Sequence, residues 1–494
     1  MNATSASTRT EAALSLTVLK QLLEKIEMAP GKSFFDDGVL YYSTVPAFED
    51  LSRLRFLFGH EISFRQAESD KVSSLLKHWR AELSPRFDEE TEDLSSILVG
   101  AEDWSDLDSE KPIIQLVNHL FTRAFDLNAS DIHFEPTEDD LEVRCRVDGI
   151  MAVIEKLPLS IQSAVTSRLK LMARMDIGEK RLPQDGRIDH RIGSRELDMR
   201  VSTLPGVLGE SVVLRILDRQ DLSIDLTELG MPQHVLKKYT EAVTQSHGLI
   251  LITGPTGSGK TTTLYGTLEK ITTEERKVIT VEDPVEYQLD GVTQIQVNPK
   301  IGLSFASGLR SIVRQDPDIL MIGEIRDHET AEIAIESALT GHLVFSTLHT
   351  NDAAGAVTRL QDMGIEGYLI TSSVLAIQAQ RLIRRVCTAC SETCDLTEDE
   401  RVVLELEPGE LETISRGRGC ETCGGTGYKG RIGLFELLTM SNEVRHIINT
   451  GGDATAIREQ AKKEGMTTLR EDALSKLRRG LTTPEEVVRV TRAL

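Results

Sequence analysis

The greater part of this chain predicts an α/β fold built on a parallel sheet, and two observations carry that expectation. The first is Gly254-Pro-Thr-Gly-Ser-Gly-Lys-Thr261, a glycine-rich loop between the apolar run Leu249-Ile250-Leu251-Ile252 and a helical stretch at 262–271. The second is that three more apolar segments follow, at 277–281, 319–322 and 343–346, spaced widely enough for a helix between each pair. Strands alternating with helices give a parallel sheet whose ligands gather at the strands' carboxyl ends.

The loop has P-loop spacing in the strand–loop–helix context that such a match requires. Its glycines let backbone N–H groups turn inward around an anion, and the helix N-terminus adds its positive dipole end. Gly254, Pro255, Thr256, Gly257, Ser258, Gly259, Lys260, Thr261 and Thr262 form the expected nucleotide cradle. Lys260 reaches the β/γ-phosphates of ATP, and the Thr261 hydroxyl ligates Mg²⁺.

Each later segment ends in groups suited to a nucleotide. Thr280-Val-Glu-Asp-Pro-Val-Glu286 brings Glu282, Asp283 and Glu286 to the sheet edge, where an acid can polarise water or hold Mg²⁺. Asp318-Ile-Leu-Met-Ile-Gly-Glu324-Ile-Arg326 has the form of a Walker B strand, with Glu324 at its mouth. Thr340-Gly-His342-Leu-Val-Phe-Ser-Thr347-Leu-His349 is a strand flanked by two histidines, expected to have a nucleotide-linked role such as sensing the γ-phosphate.

Cys387-x-x-Cys390 and Cys420-x-x-Cys423 stand 29 residues apart. Paired thiolates at that local spacing suit a tetrahedral Zn²⁺ site, with redox-active or free thiols as the alternative, and the neighbouring glycines suit knuckle turns. Cys394 offers a fifth sulfur, read as a spare thiol, and Cys145 is read as core.

At 494 residues the chain has room for several domains. Ten of the 22 aromatic residues fall in the first 90, including Phe34, Phe35, Tyr41, Tyr42 and Phe64. Residues 1–87 are therefore a separate unit, either a plain small core or a partner-docking module. Residues 88–110 hold ten acids and no basic residue, the composition of a flexible linker. An α+β domain follows at 111–218. After it come a linker at 219–235, the P-loop domain at 236–384, a zinc-binding insert at 385–430 and a helical part at 431–494. Thr483-Pro484-Glu485-Glu486 reads as a capping box opening the last helix. The net charge of −22 argues against nucleic acid as the main partner. The first residues lack a signal-peptide pattern and no apolar run reaches ~18 residues. The expectation is a cytosolic chain that does not insert in a membrane and reaches one through protein partners.

Arg200 and Arg215 lie in strands of the middle domain. A strand arginine is commonly half-exposed and paired with an acid. The alternative is an arginine finger reaching the nucleotide of an adjoining subunit.

These motifs, with Ala129-Ser-Asp-Ile-His133-Phe-Glu-Pro136, Leu182-Pro-Gln-Asp-Gly-Arg187 and Arg200-Val-Ser-Thr-Leu-Pro205, closely resemble the type II secretion and type IV pilus assembly ATPases over residues 112–494. The resemblance implies a RecA-like P-loop domain behind a PAS-like α+β domain, and a homo-hexameric ring with ATP between the two. It implies Lys260 and Thr261 on phosphate and Mg²⁺, Glu282 as candidate catalytic acid, Glu324 as Walker B acid and His349 in a histidine box. Arg200 and Arg215 match the arginines that reach the phosphates, with Arg310, Arg314 and Arg326 lining the same region. Cys387, Cys390, Cys420 and Cys423 match the zinc ligands, a set that does not include Cys394. The short N-terminal part resembles the secretion branch (GspE type). That branch implies a motor that hydrolyses ATP to drive pseudopilus assembly and protein export at the inner membrane. Residues 1–87 would dock on the cytoplasmic domain of a bitopic GspL-like protein, and a polytopic platform protein would complete the assembly. A pilus-assembly or DNA-uptake motor, and a nucleotide-binding scaffold with little turnover, are the alternatives.

Overall fold

A computed structural model of the chain describes residues 111–192, 195–218 and 226–491, with three short strands nearer the N-terminus. Those strands, Ser33–Asp36 (β1), Val39–Tyr42 (β2) and Ser63–Gln66 (β3), form a sheet in the order β1-β2-β3. β1 and β2 are antiparallel, pairing Phe34 with Tyr41, while β2 and β3 are parallel. The rest of the expected docking unit, the acidic linker at 88–110 and residues 219–225 of the second linker lie outside the described residues.

The middle domain opens with helix Lys111–Asp126 (α1) and strands Ala129–Pro136 (β4), Asp140–Val147 (β5) and Ile150–Pro158 (β6). Helix Gln162–Met172 (α2) and strands Gln184–Ile192 (β7), Arg195–Gly206 (β8) and Gly209–Asp218 (β9) complete it. All neighbours in the sheet β6-β5-β4-β9-β8-β7 are antiparallel. Side chains alternate between faces with period two. Ile132, Phe134, Val143, Cys145, Val201, Val212 and Leu214 turn to one core against Leu116, Leu120 and Phe121 of α1 and Leu169 of α2. Cys145 is fully buried there, and burial pushes its thiol up to about 12, which marks it as core.

The P-loop domain begins with helix Gln233–Val243 (α3), so the helical pattern starts inside the segment expected as linker. Strand Gly248–Thr253 (β10) leads to helix Lys260–Ile271 (α4), then Val278–Glu282 (β11), Val292–Gln296 (β12) and helix Phe305–Ile312 (α5). Ile319–Ile322 (β13), His328–Leu339 (α6), Leu343–Leu348 (β14), Ala353–Asp362 (α7) and Gly367–Ser373 (α8) follow. The long strand Val374–Val386 (β15) runs into the insert, which holds Ser391–Asp395 (β16), Glu398–Leu404 (α9) and Thr413–Gly417 (β17). Tyr428–Thr439 (β18) returns, and helices Asn442–Asn449 (α10), Ala454–Lys463 (α11), Leu469–Arg478 (α12) and Pro484–Thr491 (α13) end the chain.

The seven-stranded sheet runs β12-β11-β13-β14-β10-β15-β18, parallel throughout except for β18. Residues from 431 onward therefore open on a strand of the main sheet rather than on helix. β10 is buried along its whole length because helices cover both faces. Leu249 and Leu251 join Ile279, Val281, Leu320, Ile322 and Val344 on one side. Ile250 and Ile252 join Leu264, Met321, Phe345 and Tyr239 on the other. Each such side chain contributes roughly 1.5–3 kcal/mol. Among the described residues no helix is long and apolar enough to cross a membrane.

The tail is held by buried charges. The Glu436 carboxylate of β18 accepts the first N–H groups of α7 (Ala353, 2.9 Å) and α12 (Leu469, 3.3 Å). Glu486 departs from the expected capping box. Its oxygens accept from the backbone and guanidinium of Arg384 (3.0 and 2.8 Å) and from Arg489 (2.7 Å), while Thr483 meets the Tyr428 hydroxyl. Burial acts to raise the Glu486 carboxyl, but the bonds from Arg489 and Arg384 outweigh it and hold it at about 2. A carboxyl with a depressed pKa stabilises the fold above its unfolded value, about 4.3, and loses that contribution as pH falls toward 2. Glu486→Gln is expected to cost about 3 kcal/mol at pH 7, because it strands a half-buried guanidinium. In thermal melts the gap from wild type should close as pH drops from about 4.5 toward 2, and a gap independent of pH would contradict this account.

Candidate nucleotide and metal sites

Since β10, β11, β13, β14 and β15 are mutually parallel, their carboxyl ends reach one edge of the sheet, and the loops carrying the motifs meet there. The P-loop is shaped by close backbone approach. A Cβ on Gly254, at φ 150°, would stand 2.4 Å from the Gln380 carbonyl oxygen, and Gly259, at φ 85°, faces the Gln380 amide. Ser258 is buried, and its hydroxyl lacks a partner among the described residues. Lys260 lies at the start of α4 and donates to the carbonyls of Gly254 (2.8 Å) and Pro255 (3.2 Å). Burial lowers its ammonium to about 8, with Glu324 opposing that shift and Arg381 adding to it. A concave cradle that no side chain could fill, an orphaned hydroxyl and a desolvated cation fit a triphosphate. Thr261 is exposed on the first helical turn and Thr262 is half-buried beside it.

Glu324 is the acid nearest in effect to Lys260. Its carboxylate pairs with Arg326 and accepts from His349 Nε2 at 3.2 Å. Burial acts to raise its pKa, yet Arg326 and His349 together hold it below the ordinary carboxylate value. His342 proves to be different from His349. It caps the opposite end of β14, with Nδ1 2.9 Å from the Ser337 carbonyl oxygen, a strand's length from the P-loop edge.

Glu282, expected as the water-polarising acid, is almost fully buried. It accepts from the Tyr265 hydroxyl, from Thr280 Oγ1 at 2.6 Å and from Gln294 Nε2 at 3.1 Å. Its strand lies three places from β10, about 14 Å at normal strand spacing. A carboxylate so occupied ties the acidic box to α4. Burial and the Glu282 charge both push the Tyr265 hydroxyl well above its ordinary pKa, so Tyr265 is the donor.

The arginines form a row that sequence spacing alone did not disclose. Across five strands, register places Arg146, Asp131, Arg215, Arg200 and Arg187 opposite one another. Residues directly opposite share a face. Arg215 pairs with Asp131 (3.1 Å) and Arg187 with Asp198. Arg200 donates to the Val285 carbonyl (3.2 Å) and lies 3.5 Å from Glu286, linking the middle domain to the acidic box of its own chain. Arg310 pairs with Glu329, and Arg314 donates to the Arg310 carbonyl.

A cavity of about 670 Å³ adjoins the P-loop helix, lined among others by Asn128, Glu228, Thr262, Leu382 and Lys429. At its rim the turn residue Asp148 accepts from the Gly430 N–H at 2.9 Å and lies 3.7 Å from Arg431. None of the cavity's apolar wall, nor Gln380 and Arg381 beneath the P-loop, was singled out from sequence. The available signal was the run Gln378-Ala-Gln-Arg381, polar residues at the centre of β15.

The four expected cysteines converge. The Sγ atoms of Cys387, Cys390, Cys420 and Cys423 all lie within 4.8 Å of one another, without Cys394, which instead donates to the Ile414 carbonyl. Sγ–Sγ separations of 3.9, 3.9 and 3.7 Å match the edge of a tetrahedron with Zn–S near 2.3 Å. The N–H groups of Cys420 and Gly427 point at Cys423 Sγ, each at 3.2 Å. They outweigh burial and hold that thiol below its ordinary pKa. The donor set fits zinc.

With this geometry in hand, comparison with known proteins is decisive. The family model described as Type II/IV secretion system protein matches residues 106–489. The chain belongs to that family. It is 49% identical over 391 residues to a type II secretion system protein E of Pseudomonas aeruginosa, covering 79% of this chain and 78% of that one. It is 42% identical over 468 residues to the type II secretion system ATPase E of Vibrio cholerae, covering 93% of both. Among solved structures, the Legionella pneumophila ATPase DotB aligns with a TM-score of 0.56 at 23% identity, over 77% of this chain and 96% of that one, and shares the fold.

Elemental analysis is expected to find about one zinc per chain, and Cys423→Ser to abolish stoichiometric binding and expose the 387–427 segment to protease. Full protease resistance in a metal-free protein would remove the structural role for zinc.

Proposed function

We infer that this family member is the ATPase of a type II secretion system, hydrolysing ATP to ADP and phosphate to drive pseudopilus assembly and protein export. The observation that supports it best is the meeting of Lys260, Glu324 and His349 at one sheet edge behind the P-loop. Mg²⁺, when bound, supplies charge neutralisation between the terminal phosphates.

The chain's own groups suit the remaining tasks. Lys260 exchanges the carbonyls of Gly254 and Pro255 for phosphate oxygens, and Thr261 holds the metal ion. Glu324, oriented by His349 and Arg326, places and polarises the attacking water. Glu282 fixes the acidic box through Tyr265 and Gln294, which sets where Glu286 and Asp283 face. The cavity beside Thr262 takes the base and ribose, so the nucleotide spans the junction of the two domains.

In this reading Arg200 and Arg215 exchange their present partners for phosphate in the working assembly, a homo-hexameric ring. Domain closure on ATP and reopening after hydrolysis deliver the mechanical work. Residues 1–87 dock on a bitopic inner-membrane protein, and a polytopic platform protein receives the movement. The ATPase thus sits at the inner membrane's cytoplasmic face through its partners.

Glu324→Gln should lower turnover about a hundredfold or more in assembled protein while leaving Mg·ATP binding in place. Phosphate release and nucleotide binding measured side by side check this, and undiminished turnover would remove Glu324 from the chemistry. Wild-type specific activity should rise with protein concentration as rings form; a flat dependence would count against the ring.

A further inference from the structure

Arg381 stands where β15 passes the P-loop. The register pairs Thr253 with Ala379, so Arg381 lies two residues further along, level with the loop's first residues. The preceding residue touches the loop through its carbonyl, whose oxygen would lie only 2.4 Å from a Cβ on Gly254. Successive side chains of a strand alternate, so Gln380 turns to α4, reaching Thr263 at 2.8 Å, while Arg381 turns to the histidine-box side. There its guanidinium donates to Asn351 Oδ1 at 3.0 Å.

The charge balance around it is incomplete. Arg326 is matched by Glu324, but among the described residues Arg381 forms no ion pair and its buried Nε has no partner. Asp352, the acid next along the chain from Asn351, pairs with Arg458 and acts on Arg381 only through space, too weakly to offset its burial. A half-buried guanidinium resting on a neutral amide, with a donor left over, is costly unless an anion arrives. Its charge also acts on Lys260, adding to the lowering of that ammonium.

We propose that Arg381 reads the terminal phosphate of the bound nucleotide within its own subunit, sharing that charge with Lys260 and relaying its presence to the histidine-box segment through Asn351. This rests on the ATPase reading above and deepens it. The planar fork can keep one N–H group on Asn351 while its Nε–H turns to a phosphate oxygen in a fixed geometry, where a lysine would offer a single point of charge. The donor left over then finds its acceptor only in the triphosphate state, and Asn351, two residues from His349, moves with it.

The test is a pair of titrations on the full-length protein with Mg²⁺, one with ADP and one with a non-hydrolysable ATP analogue. In Arg381→Gln, ADP affinity should stay within about twofold of wild type, while affinity for the analogue falls about ten- to a hundredfold. Equal losses for both nucleotides, or no loss for either, would overturn the proposal. Should that variant fail to fold, Asn351→Ala removes the neighbour on which Arg381 rests and leaves the P-loop intact. It is read with the same titrations, and selective loss of the analogue is again the supporting result. A wild type that binds neither nucleotide overturns the ATPase reading and this inference with it. Wild-type binding with an unchanged ratio in the variant overturns this inference alone.

Discussion

The arrangement depends on one constraint, the burial of β10 on both faces in a parallel sheet. A strand with helices above and below must be apolar at every position, and Leu249 to Ile252 satisfy that without exception. Parallel neighbours then send β11, β13 and β14 to the same edge, so polar residues that follow each apolar run meet the P-loop. The chemistry is concentrated by topology. No pair among Lys260, Glu324 and His349 is close in sequence, yet each is the first reactive group past the end of its strand or loop.

A second layer of order comes from β15 and β18. This antiparallel pair closes the sheet and extends past it, carrying the cysteine insert as an outgrowth of two strands rather than as a separate bead. The same pair anchors the tail, through Glu436 at two helix starts and Arg384 on Glu486. Groups on β15 thus serve the P-loop at one level, through Gln380 and Arg381, and the insert and tail at the next, through Arg384 and Val386.

Much of this was legible in the residues, and the reasons are physical. The P-loop, Glu324 and the cysteine pairs lie in short local patterns whose spacing fixes geometry almost by itself. What stayed hidden depends on contacts remote in sequence. Glu282 and His342 carry the right chemistry in the right motifs, but that Tyr265 bonds the one and that the other stands at the opposite end of β14 could not be read from spacing. Glu486 read as a helix cap because its neighbours have that pattern, whereas a guanidinium a hundred residues away claims it. The row from Arg146 to Arg187 exists only through strand register, which a sequence does not print. Arg381 looked like one more polar interruption of a strand.

The contact of Asp148 with Gly430 and Arg431 has a mechanical corollary. The hairpin tip of the middle domain grips the chain only a few residues past Cys423, the last sulfur of the cluster. Swinging that domain must either release the grip or pull directly on the knuckle. A knuckle braced by a metal ion would resist such a pull, and a slack one would let it dissipate in loop motion. The cysteine cluster is thereby tied to the middle domain through the short stretch from Cys423 to Arg431.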